Sequence, residues 1–165
     1  MVDAETTFLK LELYPTWEHI DDVRTFVQAF CLRGVPQRGK LPLTPGRAEA
    51  VSMTVHELLQ NAVQNSCDGR STVTLSVNRV TDEVRVVVEN RAPRANLERL
   101  MALRRVLDQH EDDEAIFLEL MRGTAGKPGS GLGLGRIRYE GKMRLHIELI
   151  DDLVRVSARG AARGD

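Results

Sequence analysis

The sequence predicts an α+β protein, a two-layer α/β sandwich in which helices cover one face of a mixed β-sheet. Segments with alternating apolar and polar residues indicate strands, and segments with apolar residues every three or four positions indicate helices. After a first strand these follow as helix, helix, hairpin, two helices, glycine-rich loop and hairpin. Such an order is typical of helices packed on one face of a sheet, and 165 residues suit a single domain.

The chain opens with a predicted strand and a predicted helix. Apolar side chains alternate over residues 8–13, which indicates the strand. Thr16 supplies an N-cap for a helix that runs to about Leu32 with apolar residues at helical spacing. Gly34 ends this helix, and residues 34–43, rich in Gly, Pro and basic residues, predict a loop.

A longer helix is predicted from Pro45 to about Ser66, because Thr44 can cap it and proline is favoured at the first helical position. Glu57 and Asn61 stand four residues apart and therefore share one face of this helix. A carboxylate can orient a water or hydroxyl, and an amide oxygen can ligate Mg2+. An ordinary surface helix with one charge and one amide is the alternative.

The next segments predict a hairpin and two helices. Residues 71–80 alternate as a strand does, residues 81–83 form the turn, and the nearly continuous apolar run over 84–89 predicts a central strand. Helical spacing then recurs over 96–109, and a shorter helix is predicted over 112–122.

The glycine-rich segment over residues 124–135 is followed by a terminal hairpin. A short helix is predicted over 132–141, and its N-terminal amides, with the turns before it, would form an anion site. Strands are predicted over 144–149 and 153–158, with a core over 8–158 and a frayed tail over 159–165. Five glycines free the backbone of the segment for close approach to a ligand: Gly126, Gly129, Gly131, Gly133 and Gly135.

Composition narrows the partners. Hydrophobic residues make up 42% of the chain, charged residues 28%, and the formal net charge is -1, which favours neither nucleic acid nor a membrane as partner. Cys31 and Cys67 form no metal or disulfide pattern and are predicted as buried, reduced thiols. The chain has neither a basic-then-apolar leader nor a long apolar run, so we expect a cytoplasmic protein.

Three common motifs are excluded by spacing. A P-loop is excluded because Pro128 follows Lys127 and Met121 occupies the first glycine position. A dinucleotide fingerprint is excluded because the glycine loop comes late and follows a helix. A zinc protease motif is excluded because Gln60, not histidine, lies four residues after His56. A flexible linker remains the alternative for the loop itself.

The helix segment Glu57-Leu-Leu-Gln-Asn61, the strand that ends near Asn90 and the loop from Gly129 to Gly135 resemble the GHKL ATPases in type and order. The helix segment resembles the N-box of that superfamily, and the loop resembles its second glycine box. The resemblance covers about residues 8–158 and implies the Bergerat-type fold.

Two further segments resemble particular branches of that superfamily. The first strand and helix, with Val23-Arg24, are similar to the start of anti-sigma-factor serine kinases. The helical insertion between Asn90 and Gly129 is most similar to that of the SiaB-type bacterial protein kinases.

The resemblance implies ATP and Mg2+ as cofactors and gives the residues roles. Glu57 would polarise the attacking hydroxyl or water, Asn61 would ligate Mg2+, and Asn65 would lie near the phosphates. Lys127 and Arg136 would add positive charge. The backbone around the triphosphate would come from Gly129, Gly131, Leu132, Gly133 and Leu134.

The first glycine box departs from the superfamily pattern. Its adenine-binding Asp and the following glycines are absent from Val88-Glu89-Asn90-Arg91-Ala92-Pro93. Asn90 could accept a hydrogen bond from the adenine amino group, but a neutral acceptor binds less strongly than a carboxylate. Glu89 is the alternative, if its strand position allows it.

Two functions from different classes follow. The first is an ATP-dependent Ser/Thr protein kinase that phosphorylates a STAS-type partner in a partner-switching pathway. The second is a non-catalytic, anti-sigma-like binding module with a degenerate nucleotide site. A stand-alone ATPase is a third possibility. A histidine kinase is disfavoured, because the sequence shows no phosphoacceptor helix. A homodimer is left open.

Overall fold

The computed structural model describes residues 5–33, 43–78, 80–109, 111–124 and 131–164. Within them the chain forms one five-stranded sheet with the strand order β1-β2-β3-β5-β4. Alternating apolar residues produce these strands, as predicted. Their bounds are β1 (Glu5–Leu13), β2 (Ser71–Asn78), β3 (Glu83–Arg91), β4 (Arg144–Ile150) and β5 (Leu153–Ala161).

In the same described residues, five helices complete the predicted α+β two-layer sandwich, which is confirmed. They are α1 (Trp17–Arg33), α2 (Pro45–Asn65), α3 (Arg94–Gln109), α4 (Asp113–Thr124) and α5 (Leu132–Tyr139). α2 packs against the central strands β2, β3 and β5, α1 packs on α2, and α5 packs against α2, α4 and β4. α3 lies near β4. Among the described helices, none combines the length and apolar character that crossing a bilayer requires.

The prediction of a mixed sheet is wrong, because every strand pair in the described residues is antiparallel. The crossover through α3, α4 and α5 does return the chain in the direction of β3. However, β5 lies between β3 and β4, so these two strands of equal direction never pair.

The two faces of the sheet have different chemistry. On β3, Val84, Val86 and Val88 face the helices and are almost fully buried. On the opposite face, Arg85 hydrogen-bonds to Glu5 and Ser157, and Arg155 lies within ion-pair distance of Glu89. The face of the sheet that packs against the helices is therefore apolar, and the opposite face carries charged side chains.

The prediction of a frayed segment over 159–165 is wrong for its first residues. Residues 159–161 continue β5 and pair with residues 83–85 of β3. Arg47 stabilises this end of the sheet because its Nε donates to the Ala161 carbonyl oxygen at 2.7 Å. Gly160 lets the guanidinium approach, since a Cβ there would lie 2.5 Å from Arg47 Nη2.

The two cysteines differ in exposure. Cys31 is buried as predicted, and burial raises the pKa of its thiol to about 12. Cys67 is exposed, contrary to the prediction, because it lies in the turn after α2. Its backbone N–H donates to the Arg91 carbonyl oxygen.

Candidate functional site

The second half of α2 places the predicted polar residues on one side of the helix. Glu57, Asn61 and Asn65 follow one another at intervals of four residues. Glu57 and Asn65 are buried, and Asn61 is partly buried. The face that carries them is therefore a packed face and not a solvated one, which excludes the ordinary surface helix.

Three amide side chains meet at one small cavity. Asn61 and Asn65 line it from α2, and Asn90 lines it from the end of β3. Leu134 of α5 lines it as well, so four residues predicted from distant parts of the sequence come together. The remaining lining residues are apolar: Leu58, Val88, Leu100, Val154 and Val156.

Glu57 lies beside this cavity, against the first turns of α5. Arg136 Nη1 donates to Glu57 Oε1 at 2.6 Å. A Cβ at Gly133 would overlap Glu57 Oε2, so a larger residue there would displace the carboxylate. Glu57 is thus held between α2 and α5.

Arg136 does not lie free to meet a phosphate, because it binds two carboxylates. Besides Glu57, it contacts Glu140 one turn further along α5 at 3.2 Å. The hydrogen bond to Glu140, and then the charge of Glu57, raise the pKa of Arg136 against the opposing effect of burial. The guanidinium is therefore firmly charged.

The start of α5 is a glycine turn, as predicted. Gly131 adopts the left-handed conformation with φ 75° and ψ 3°, and α5 begins at Leu132. The Gly131 carbonyl oxygen accepts from the Gly135 N–H at 3.2 Å, which closes the first turn of the helix. Lys127 and Gly129 lie outside the described residues.

Asn65 is bound by α3, which the sequence reasoning did not anticipate. Its side-chain Nδ2 donates to the Asn61 carbonyl oxygen at 2.6 Å, and its Oδ1 accepts from Arg99 Nη2. Its backbone carbonyl oxygen accepts from Asn96 Nδ2 at 3.3 Å. Helical spacing predicted α3 itself, but nothing in the spacing indicates that Asn96 and Arg99 would reach α2.

Asn90 and Glu89 point to opposite sides of the sheet. Asn90 faces α2 and is buried, whereas Glu89 lies on the other face, 3.5 Å from Arg155. Glu89 is therefore excluded as the replacement for the missing Asp. Ser71, the register partner of Asn90 on β2, is a polar neighbour that the sequence did not single out. Its buried Oγ has no hydrogen-bond partner among the described residues.

The side chains around the cavity have the chemistry to bind a magnesium nucleotide, but the cavity is too small to hold one. Amide oxygens are ligands that Mg2+ accepts, and the glycine turn offers backbone amides. The cavity has a volume of only about 20 Å³, which holds a water molecule and not a nucleobase. A base needs a wider cavity, and Leu100 of α3 is the lining residue contributed by the insertion between β3 and α5.

Two further observations concern metals and histidine. Within the described ranges, no group of three or more His, Cys, Asp or Glu side chains is arranged to hold a metal ion. His56 packs between α1 and α2, with Nδ1 3.4 Å from Asp21 Oδ1. This position gives His56 a role in the contact between the two helices.

Comparison with known proteins identifies the fold. No protein-family model matches the chain, and no curated protein matches it. Among solved structures, the chain is similar to one from the crystal structure of the SiaB–SiaC complex from Pseudomonas aeruginosa, with a TM-score of 0.65. The alignment covers 93% of this chain and 89% of that chain at 18% identity. At this identity, the likeness shows a shared fold.

Proposed function

We propose that this chain is a bacterial, cytoplasmic regulatory protein of the GHKL type. In this proposal it binds Mg-ATP between α2, the sheet and α5, and phosphorylates a serine or threonine of a STAS-type protein partner. The observation that carries the proposal is the convergence of Asn61, Asn65, Asn90 and Leu134 on one cavity with Glu57 beside it. These residues come from three elements that are distant in sequence.

Residues of this chain would have separate roles in phosphoryl transfer. Bound Mg-ATP would supply the phosphoryl group. Asn61 would hold the metal through its amide oxygen, and the backbone of Gly131 and Gly133 would lie against the phosphates. Glu57 would accept or orient the proton of the partner's hydroxyl group at its carboxylate. Positioning and charge supply most of the catalysis in such transfers.

The complex that contains the similar chain favours a protein partner. That chain was crystallised in a complex, and the complex pairs SiaB with SiaC. A chain with the same fold is therefore compatible with a role in partner switching. The STAS-type identity of the partner comes from the sequence resemblance alone.

A second candidate function is a non-catalytic partner-binding module. The cavity of about 20 Å³ favours it, as does the neutral Asn90 where the superfamily has an Asp. In this case the α2–α5 contact would be purely structural, and the protein would act by sequestering its partner.

A thermal-shift titration with Mg-ATP separates the two functions. A ligand that binds only the native state raises the unfolding midpoint as its concentration rises, so we expect a shift for the wild type. Asn61→Ala should reduce that shift, because it removes the metal ligand. Gln64→Ala is the matched control and should leave the shift unchanged, because it removes an exposed amide from the same helix outside the cavity.

Transfer itself is measured with radiolabelled ATP and the purified partner. Glu57→Ala should abolish labelling of the partner while the Mg-ATP thermal shift persists, because Glu57 acts on the hydroxyl and not on the nucleotide. No shift at millimolar Mg-ATP would exclude the kinase and leave the binding module. Full labelling by Glu57→Ala would show that another group is the base.

A further inference from the structure

The ion pair between Glu57 and Arg136 joins a buried carboxylate to a half-exposed guanidinium group. The side chain of Glu57 is 8% exposed and that of Arg136 is 41% exposed. A carboxylate with so little access to water is costly unless it is paired and hydrogen-bonded. Arg136 supplies both the opposite charge and the hydrogen bond, at 2.6 Å.

Among the described residues, Arg136 is the charged side chain that pairs with Glu57. From α5, Glu57 meets Gly133 and Arg136, which lie three residues apart and so share one face. Glu140 lies behind Arg136 and binds the same guanidinium. Among the described residues, no other charged side chain forms an ion pair or hydrogen bond with Glu57.

Arg136 also fixes the direction of the carboxylate. One oxygen, Oε1, receives the guanidinium hydrogen bond, and the other, Oε2, lies against the backbone at Gly133. Glu140 in turn holds the guanidinium through contacts to Nε and Nη2 at 3.3 Å and 3.2 Å. Glu140, Arg136 and Glu57 therefore form a chain of contacts in which each group orients the next.

We propose that Arg136 is the positioning residue for Glu57 in phosphoryl transfer, holding this buried carboxylate in a fixed orientation. The proposal rests on the kinase function above. Without the guanidinium, the Glu57 carboxylate would lose its hydrogen-bond donor and turn away towards water. That change would misplace the group that accepts the proton of the partner's hydroxyl, while the nucleotide contacts from Asn61 would remain.

The test is a comparison of kcat and KM for ATP in Arg136→Met, Arg136→Lys and wild type, with the purified partner as acceptor. Methionine keeps much of the apolar stem and removes the charge. We expect kcat to fall about 10-fold to 100-fold in Arg136→Met with KM little changed, since only the reacting group is misplaced. Lysine should restore part of kcat, because it returns the charge without the planar fork. Arg104→Met, at an exposed ion pair with Asp108 on α3, is the matched control and should leave kcat unchanged.

Other outcomes overturn the proposal in distinguishable ways. A higher KM with unchanged kcat would mean that Arg136 binds the nucleotide. A higher kcat in Arg136→Met would mean that the ion pair restrains Glu57 instead of preparing it. Unchanged kinetics would make the pair purely structural. If the wild type transfers nothing to the partner, the kinase function itself fails, and the positioning role fails with it.

A second measurement does not depend on activity. Urea unfolding of Glu57→Gln, Arg136→Met and the double variant forms a double-mutant cycle. We expect the losses in the free energy of unfolding to be non-additive, since removing Arg136 leaves the buried Glu57 carboxylate without its partner, and replacing Glu57 as well removes that cost. Additive losses would show that the two side chains are not coupled, which would overturn the proposal whatever the kinetics show.

Discussion

Gly133 is the residue at which α5 comes closest to the proposed base. It occupies the second position of α5, directly opposite the carboxylate of Glu57. Glycine is unfavourable inside a helix by about 1 kcal/mol relative to alanine, so its presence there needs a reason. The reason is space, because any side chain would overlap Glu57 Oε2.

We therefore expect Gly133→Ala to destabilise the protein by about 1–3 kcal/mol, the usual cost of overpacking, despite the better helix propensity of alanine. Urea unfolding measures the change. Gly46→Ala is the matched control, since Gly46 is also in the first turn of a helix and a Cβ there meets nothing within 4 Å. The control should be neutral or stabilising. Equal effects at the two glycines would contradict the close contact with Glu57.

At the scale of elements, α3 forms part of the wall of the cavity and contacts the end of α2. Leu100 fills one side of the cavity, while Asn96 and Arg99 bind the C-terminal end of α2 through Asn65. The contact by Arg99 occupies the Asn65 side-chain oxygen, which the sequence resemblance assigned to the phosphate region. Binding of a nucleotide would then compete with the packing of α3 on α2.

This competition predicts that Leu100→Ala strengthens Mg-ATP binding while it weakens the fold. Loss of a buried leucine should lower the free energy of unfolding by about 2 kcal/mol or more. If α3 must shift before the base enters, a variant that favours the shifted state raises the competent fraction and lowers the apparent Kd. Isothermal titration calorimetry measures that Kd.

Leu118→Ala is a suitable control, because Leu118 is an exposed leucine on the neighbouring helix α4. It should change neither stability nor Kd appreciably. Weaker binding of Mg-ATP by Leu100→Ala would show that Leu100 supports the nucleotide instead of excluding it.

At the scale of the whole molecule, the sequence predicts well those features that residues close together in the chain determine, such as helix starts and strands. The start of α2 is an example, since Thr44 accepts from the Arg47 N–H at 3.4 Å and Pro45 follows the cap. The strands could be predicted equally well, because each buries one face and its apolar and polar residues therefore alternate. The positions of Asn61 and Asn90 near one site followed from resemblance and not from periodicity.

What the sequence did not predict are contacts between distant segments. Glu57 and Arg136 are 79 residues apart, and no local pattern indicates that they pair. The position of β5 between β3 and β4 is likewise a property of the assembled sheet, which is why a mixed sheet was wrongly expected. The predicted frayed end was wrong for the same reason, since Arg47 lies 114 residues from its acceptor, Ala161.

Arg47 joins the terminal hairpin to the start of α2, and this gives a prediction for the whole fold. It is 7% exposed and donates to the carbonyl oxygens of Ala161 and Gly141, at 2.7 Å and 2.9 Å. Burial lowers the pKa of its guanidinium, yet arginine stays charged at any ordinary pH. Arg47→Met would keep much of the stem and leave these two acceptors without their donor. The loss costs about 1–3 kcal/mol at the buried Gly141 and less at the exposed Ala161, where water can replace the donor, so we expect about 2 kcal/mol in urea unfolding.

The location of the loss distinguishes this account from general destabilisation. Amide hydrogen exchange should quicken first over residues 159–161 of β5, the end of the sheet that Arg47 holds. Arg163→Met is the control, because Arg163 is exposed and lies only 3.5 Å from Asp82 in a surface ion pair, which contributes about 0–1 kcal/mol. If both variants lost equal stability, or if exchange over 159–161 were unchanged in Arg47→Met, then Arg47 would not be what orders this end of the sheet. The expected result instead makes α2 the common support of the molecule, with its first turn holding the C-terminal strand and its last turns carrying the candidate site.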